Sequence, residues 1–190
     1  HRTCHFMNQM PIDKQHVGST FNLLDYMRVP MVGMHGNYAP NLLTNQCDVL
    51  IAIGMRFDDR VTGDLKTYAK QAKIIHLELD PAEINKNVYA DVAVLADCRE
   101  SLAALTQKIE PKTHTDWIQK FKALDAIEQE KVIQKDLQPT KAGLTMEEAV
   151  EMINKHSKGD AIIVTDVGQH QMVACRYAKF NQSKSNVTSG

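Results

Sequence analysis

The sequence predicts an α/β fold in which a Rossmann-like parallel sheet is flanked by helices. Residues 48–53 and 73–79 are apolar, β-branched runs typical of strands that are buried on both faces. Between about residues 30 and 110, strand patterns alternate with helical ones, as expected of a parallel sheet covered by helices. A charged loop, residues 54–63, follows the first run at the position where open α/β sheets bind ligands.

The elements predicted before residue 111 are a helix over 40–47, a strand over 48–53, a helix over 65–72, strands over 73–79 and 92–96, and a helix that starts at Asp97 or Cys98. Pro81 ends the second strand because proline has no amide hydrogen for the ladder. Leu102, Leu105 and Ile109 have the spacing of one apolar helix face.

The remaining sequence predicts a helical segment and then the start of a second α/β domain. Residues 116–135 have helical periodicity, and Trp117 lies on the apolar stripe, which favours a packing role. Thr145 and Glu148 fit a capping box. A strand over 161–165 then runs into a strand-turn-helix junction at 166–170. We therefore predict a central domain over 1–111 with a divergent N-terminal region of about 30 residues, a helical linker over 112–144, and a second domain from 145 to 190.

Composition restricts the class of partner. The 190 residues carry a net charge of −1 with acidic and basic residues interspersed, which argues against nucleic acid and against a polybasic membrane patch. No apolar run approaches the ~20 residues that span a bilayer. The four cysteines are scattered, which indicates reduced thiols, and we expect a cytoplasmic protein. His1, Cys4 and His5 have no second cluster at zinc-like spacing, so we predict a frayed end and no metal site.

Two segments carry the chemistry of an anion site. Arg56 and Arg60 can each bind phosphate or carboxylate, and Asp58 can hold such a fork in position. A surface salt-bridge cluster is the alternative interpretation of the same charges. Gly33 and Gly36 bracket Met34 and His35 just before a helix, which lets backbone approach a ligand. The dinucleotide and P-loop glycine fingerprints are both absent from the sequence.

The string Arg-Phe-Asp-Asp-Arg-Val-Thr-Gly at 56–63 closely resembles the signature of the acetohydroxyacid synthase (acetolactate synthase) large catalytic subunits. These are thiamine diphosphate enzymes that also carry FAD. Segments 33–36, 80–87 and 165–172 agree with the family in order and spacing. The resemblance covers residues 32–105 and 162–172 well, and the rest of the chain loosely.

The resemblance implies the following residues around FAD: Gly33, Met34, His35, Gly36, Arg56, Asp58, Arg60, Val61, Glu78, Leu79, Glu83, Asp97 and Cys98. It also implies that Gly168, Gln169 and His170 receive the diphosphate of thiamine diphosphate at a helix start. Arg60 is further expected to position a substrate carboxylate.

Some of these residues also have purely structural interpretations. Glu83 can be an exposed carboxylate at a helix start, and Gly168 to His170 can form a helix cap with exposed polar side chains. For Cys98 we favour backbone and packing contacts over thiol chemistry. His76, within an apolar strand, is expected to be a structural imidazole.

The sequence also departs from the family. Glu78 stands where the family usually has Asp, and Val173 replaces a tryptophan, while Gly18 to Phe21 have only a loose likeness to the family's strand-turn segment. The magnesium-binding Gly-Asp-Gly motif and the glutamate that activates thiamine are absent. We therefore expect an internal, inactive fragment with no catalytic residue and no metal ligand of its own.

The resemblance implies that the parent protein condenses two 2-oxoacids, pyruvate with pyruvate or with 2-oxobutyrate, and releases carbon dioxide in branched-chain amino-acid synthesis. Its cofactors would be thiamine diphosphate, Mg²⁺ and FAD, and its assembly a homodimer or homotetramer, with a small regulatory subunit as a further partner. Two alternatives stay open. One is a non-catalytic adenine-nucleotide-binding or oligomerisation module, and the other is a thiamine diphosphate enzyme of the pyruvate oxidase or glyoxylate carboligase type.

Overall fold

The computed structural model describes residues 3–7, 31–110, 113–139, 143–182 and 185–188, and for 3–7 it describes the backbone alone. These residues group into two compact units. The first contains 3–7, 32–34, 38–110 and 113–123, and the second contains 31, 35–37, 124–139, 143–182 and 185–188. The predicted division at 111 and 144 stays a prediction. Gly18 to Phe21 lie outside the described residues.

The first unit contains a four-stranded parallel sheet in the order β1–β2–β3–β4. Its strands are β1 (Thr3–Met7), β2 (Val49–Ile53), β3 (Lys73–Glu78) and β4 (Val92–Leu95). The structure confirms the α/β class and the predicted strands over β2, β3 and β4. The frayed end predicted around His5 is wrong, because this backbone pairs in parallel with β2. The absence of a metal site there stays a prediction, because those side chains lie outside the description.

The register of this sheet sets the position of the loops that follow its strands. Ile53 pairs with Leu77, and Leu77 pairs with Val94, so the carboxyl ends of β2, β3 and β4 lie side by side. Two further hydrogen bonds extend the contact beyond the strands: Gly54 N donates to the Leu77 carbonyl at 2.9 Å, and Ala96 N donates to the Glu78 carbonyl at 3.1 Å. We call this side of the sheet the carboxyl edge.

Among the described residues, three helices accompany the sheet: α1 (Tyr38–Thr44), α2 (Asp59–Thr62) and α3 (Cys98–Thr106). The predicted helix at 40–47 corresponds to α1, which buries Ala39 and Leu43. Helix α3 begins where predicted but ends at Thr106, so Ile109 lies outside it and is exposed, contrary to the predicted apolar face.

The predicted helix over 65–72 is wrong, because this segment consists of turns. Asp64 starts the first turn by accepting a hydrogen bond from Lys66 N at 2.9 Å. Ala69 then has φ +46°, which no right-handed helix contains, and its amide donates to Asn45 Oδ1 at 2.7 Å. A contact from 24 residues away therefore outweighs the local helical preference.

The predicted helix over 116–135 forms as three consecutive pieces: α4 (Thr115–Glu128), a π-helical segment (Gln129–Ile133) and α5 (Gln134–Asp136). Trp117 is buried and packs edge-to-face on Phe121 at a centroid distance of 5.7 Å, which confirms its packing role.

The rest of the second unit contains α6 (Met146–Ser157), β5 (Ile163–Thr165), α7 (Gln169–Tyr177) and β6 (Asn186–Thr188). The capping box is present as predicted, with Glu148 N donating to Thr145 Oγ1 and Thr145 N donating to the Glu148 carboxylate. Strand β6 pairs in parallel with β5. Within the described part of the chain, no helix is both long and apolar enough to cross a membrane.

Asp125 on α4 is a carboxyl group at a site that disfavours its charge. Burial and the nearby negative charge of Glu128 raise the pKa of Asp125, and its Oδ1 is buried and has no hydrogen-bond partner among the described residues. A folded-state pKa above the unfolded value means that ionised Asp125 destabilises the fold, and that this penalty is absent once pH falls below about 3.8.

We therefore predict that Asp125→Asn raises the free energy of unfolding at pH 7 by about 0.5 kcal/mol, the size of a partly exposed charge interaction. Urea denaturation at several pH values would show the gain shrinking as pH falls through the acidic range. Asp116→Asn, at an exposed position on the same helix, should give no gain. A pH-independent gain would contradict the charge-based explanation.

Candidate functional site

Residues 54–63, which we call the arginine loop, leave β2 at the carboxyl edge. Phe57 is buried and has φ +52°, a left-handed conformation that reverses the chain direction. The Arg56 side chain points outward and is 70% exposed, and its Nη2 lies 3.4 Å from Asp58 Oδ2. The loop therefore presents a guanidinium to solvent while its apolar neighbour packs inside.

Asp58 organises this loop through both carboxylate oxygens. Its Oδ1 accepts hydrogen bonds from Arg60 N at 3.1 Å and Val61 N at 3.2 Å, which caps α2. Its Oδ2 pairs with Arg56. The pairing with Arg56 agrees with the prediction that Asp58 holds an arginine fork, and the cap on α2 is a second role that the sequence analysis did not predict.

Gly33 and Met34 meet the arginine loop directly. Met34 N donates to the Arg60 carbonyl at 2.6 Å, and Gly33 exchanges two hydrogen bonds with the Asn41 side chain, at 2.7 and 2.9 Å. Gly33 has φ +107°, and a Cβ there would stand 2.7 Å from the Arg60 carbonyl oxygen and 3.1 Å from Val61 Cα. Only glycine therefore fits at position 33. Through these contacts the backbone at Gly33 and Met34 packs directly against the arginine loop.

His35 and Gly36 group with the second unit, unlike Gly33 and Met34. His35 is half-buried, and its Nδ1 is buried with no hydrogen-bond partner among the described residues. Their predicted contact with FAD stays a prediction.

Glu78 ends β3 and folds its carboxylate back onto the chain. Its Oε1 accepts from Leu79 N at 2.8 Å and from Asp80 N at 3.3 Å, and its Oε2 lies 3.7 Å from His76 Nε2. Glu has one methylene more than the Asp that is usual in the family that the sequence resembles. Because the Glu78 carboxylate folds back onto the backbone, the strand end has room for this extra length. Leu79, the next residue, is exposed.

Asp97 and Cys98 follow the end of β4. Asp97 caps α3 by accepting from Arg99 N at 2.8 Å. Cys98 Sγ lies 3.9 Å from the Leu77 carbonyl, and burial together with the charges of Glu78 and Asp97 raises the pKa of its thiol. A protonated thiol is a poor nucleophile, which agrees with the packing role predicted for Cys98.

Glu83 lies in turns, so its interpretation as an exposed helix-start carboxylate is wrong. Its side chain is largely buried, and Oε1 pairs with Lys86 Nζ at 2.8 Å. Its Oε2 is buried and has no hydrogen-bond partner among the described residues. That oxygen is an acceptor left over for a ligand donor.

Three predicted residues of the first unit therefore lie at one edge of the sheet. Glu78 is the last residue of β3, and Arg56 and Asp97 follow the ends of the adjacent parallel strands β2 and β4. Gly33 and Met34 join the same edge through Arg60. An exposed cationic fork beside carboxylate acceptors suits a ligand with both anionic phosphates and hydroxyl or amine donors, which is the chemistry of a nucleotide.

The second unit holds the other predicted site. Gly168 ends the turn after β5 with φ +156°, and α7 begins at Gln169 with no side chain capping it and no acidic residue in its first turn. A Cβ on Gly168 would lie 2.8 Å from the His170 ring. The backbone amides at the start of α7, next to Gly168 and the exposed His170 imidazole, form a group of donors. Such a group can bind the phosphates of a diphosphate. Within the described residues, no cluster of His, Cys, Asp or Glu could hold a metal ion.

Two residues that support the arginine loop are absent from the predicted set. His76 was expected to be structural, and the structure confirms that it is fully buried, with Nε2 donating to the Met55 carbonyl at 2.8 Å. Asn87 Nδ2 donates to the Phe57 carbonyl at 3.0 Å. A histidine within an apolar strand was a usable signal, whereas the asparagine contact spans 30 residues and leaves no local pattern.

Comparison with known proteins gives consistent matches. Residues 16–105 match the central domain of thiamine pyrophosphate enzymes. The chain is 41% identical over 166 residues to the probable acetolactate synthase large subunit of Methanocaldococcus jannaschii, which covers 84% of this chain and 28% of that protein. It is 40% identical over 181 residues to the acetolactate synthase large subunit of Parasynechococcus marenigrum, a match that covers 90% of this chain and 28% of that protein. Acetolactate synthase 1, chloroplastic, of Oryza sativa is 36% identical over 173 residues, a match that covers 87% of this chain and 26% of that protein. The chain thus spans little more than a quarter of the length of these relatives.

Proposed function

This chain contains a thiamine pyrophosphate enzyme central domain and is a relative of the acetolactate synthase large subunits, and from that premise we propose that it is the central part of an acetolactate synthase catalytic subunit. The complete enzyme would join two 2-oxoacids, pyruvate with pyruvate or with 2-oxobutyrate, with loss of carbon dioxide. This reaction belongs to the synthesis of valine, leucine and isoleucine. When bound, thiamine diphosphate supplies the carbanion chemistry of this condensation.

The observation that carries the proposal is the shared position of Arg56, Glu78 and Asp97 at the ends of adjacent strands. We assign FAD to this edge. Arg56, held by Asp58, binds the diphosphate, and the acidic groups after β3 and β4 accept hydrogen bonds from the adenosine half. Arg60 and Val61, fixed against Gly33, border the flavin side.

Arg60 is also the residue that we assign to the substrate. Its backbone is fixed twice, since Asp58 accepts from its amide and its carbonyl accepts from Met34 N. Its side chain is exposed and always charged at neutral pH. A guanidinium on so well-fixed a backbone can orient the carboxylate that every 2-oxoacid carries.

In the second unit we assign the thiamine diphosphate phosphates to Gly168, Gln169 and His170. The uncapped start of α7 offers backbone amides, and the helix dipole favours negative charge there. His170 adds a donor beside the same backbone. We further propose that the complete enzyme binds Mg²⁺ and assembles as a homodimer or homotetramer, with a small regulatory subunit as a further partner.

The alternatives make different predictions. A pyruvate oxidase or glyoxylate carboligase would share the cofactors but form other products. A purely structural adenine-nucleotide module would bind FAD or ADP and leave the complete protein without turnover. The string at 56–63 favours the acetolactate synthases.

The proposal is tested with the complete enzyme, supplied with thiamine diphosphate, Mg²⁺, FAD and pyruvate, with and without 2-oxobutyrate. We expect acetolactate from pyruvate alone and acetohydroxybutyrate when 2-oxobutyrate is added, both identified by mass spectrometry. Any other product would assign the chain to a different thiamine diphosphate enzyme, and no turnover would support the binding module. The 190-residue chain should form neither product, because it spans little more than a quarter of the length of its relatives.

A further inference from the structure

The two residues that flank Arg56 are each held from another part of the first unit. The Met55 carbonyl accepts a hydrogen bond from His76 Nε2 at 2.8 Å, and the Phe57 carbonyl accepts one from Asn87 Nδ2 at 3.0 Å. Arg56 itself is exposed, and within the part of the chain that the structure describes its guanidinium pairs with Asp58 alone. The backbone on both sides of the guanidinium is thus fixed, while the guanidinium stays accessible.

The polar imidazole of His76 is unusual at a buried strand position. Its side chain has 0% exposure, and because a carbonyl only accepts, its Nε2 must carry the hydrogen that bonds Met55. Its Nδ1 is buried with no hydrogen-bond partner among the described residues. An apolar side chain at this position would avoid that unpaired nitrogen, so packing alone does not explain the imidazole.

The backbone of Phe57 is a second sign that the residues around Arg56 are held in place. Its φ of +52° is a conformation that a bulky residue rarely adopts and that persists only when its surroundings enforce it. The Phe57 ring packs edge-on against His76 at a centroid distance of 5.0 Å, and Asn87 holds its carbonyl. The same two residues that bond the flanking carbonyls therefore also stabilise the strained turn that points Arg56 outward.

We propose that His76 and Asn87 are positioning residues that pre-organise the Arg56 guanidinium for the diphosphate of a nucleotide. The inference rests on the proposed binding of FAD at the carboxyl edge and adds how the binding group is held. A pre-organised fork loses less freedom on binding, so residues that touch no ligand contribute to affinity through Arg56.

A double-mutant cycle tests this role, with FAD and ADP affinities measured by calorimetry on the 190-residue chain. We expect Arg56→Met to weaken binding about tenfold, because it removes a charged hydrogen-bonding group. Asn87→Ala should weaken binding about fivefold, because the guanidinium is then less ordered before the ligand binds. The double variant should bind no more weakly than Arg56→Met alone, because Asn87 acts through Arg56. Asn45→Ala, which removes an equivalent bond to the Ala69 backbone, should leave affinity unchanged.

His76 is tested by rescue. His76→Gln keeps an amide donor for the Met55 carbonyl and should retain more affinity than His76→Leu, with circular dichroism confirming that both variants fold. Unchanged affinity in Arg56→Met would contradict the proposed FAD site itself. Weakened Arg56→Met with wild-type affinity in Asn87→Ala, or losses that simply add in the double variant, would overturn only the positioning role.

Discussion

Gly33→Ala should lower the free energy of unfolding of the chain by about 3 kcal/mol and abolish FAD binding at the carboxyl edge. The added Cβ would stand 2.7 Å from the Arg60 carbonyl oxygen, and the contact is backbone, which no side-chain rotation can relieve. A φ of +107° adds strain, because L-residues other than glycine rarely adopt it. The junction between Gly33 and the arginine loop must therefore open.

Urea denaturation and FAD titration of the same variant check this prediction. Gly63→Ala is the matched control, because Gly63 also has positive φ, at +58°, but a Cβ there meets nothing within 4 Å. It should cost about 2 kcal/mol, the backbone strain of an alanine at φ +58° and ψ −129°, without any steric clash. Equal losses in the two variants would mean that positive φ explains both and that the Gly33–Arg60 junction contributes nothing.

Arg176→Met should also destabilise the chain by about 3 kcal/mol. Arg176 on α7 forms an ion pair with Glu128, whose side chain is only 3% exposed. Removing the guanidinium takes the cation of this pair away from a carboxylate that stays buried, which costs more than the pair itself contributed. Because α7 begins at the predicted diphosphate site, this pair also fixes the helix that carries Gln169 and His170.

Urea denaturation measures this loss as well. Lys179→Met is its control, since the Lys179–Glu151 pair is 3.4 Å long and its lysine is 62% exposed, so the change should stay within about 0.5 kcal/mol. Adding Glu128→Gln to Arg176→Met should recover part of the stability, because it removes the buried negative charge. Failure to recover any would show that the guanidinium stabilises by packing alone.

The elements that the sequence predicts well are those determined by local pattern. Strands β2 and β3 are apolar runs bounded by polar loops, and the capping box needs only Thr145 and Glu148. The end of each strand could be located to within a residue, and with it the charged groups that follow. This is why the predicted cluster at the carboxyl edge is found in the structure.

The elements that it misses are determined by contacts distant in sequence. The turns at 65–72 depend on Asn45, and β1 is identifiable only from its pairing with β2, because its own residues mix polar and apolar types. The same holds for Asn87, which supports Arg56 from 31 residues away along the chain, whereas His76 at least stands out as a histidine within an apolar strand. Residue patterns alone carry no record of such hydrogen bonds.

The most direct test of the FAD site is a map of the backbone amides that respond to the ligand, obtained by NMR on the isotope-labelled 190-residue chain titrated with FAD and with ADP. We predict saturable shifts at Arg56, Leu79 and Asp97, with Arg60 responding to FAD more than to ADP. Lys73 and Asp91, at the opposite ends of their strands, should remain unchanged. Shifts centred on Lys73 and Asp91, or no saturable response at the three strand ends, would contradict the account.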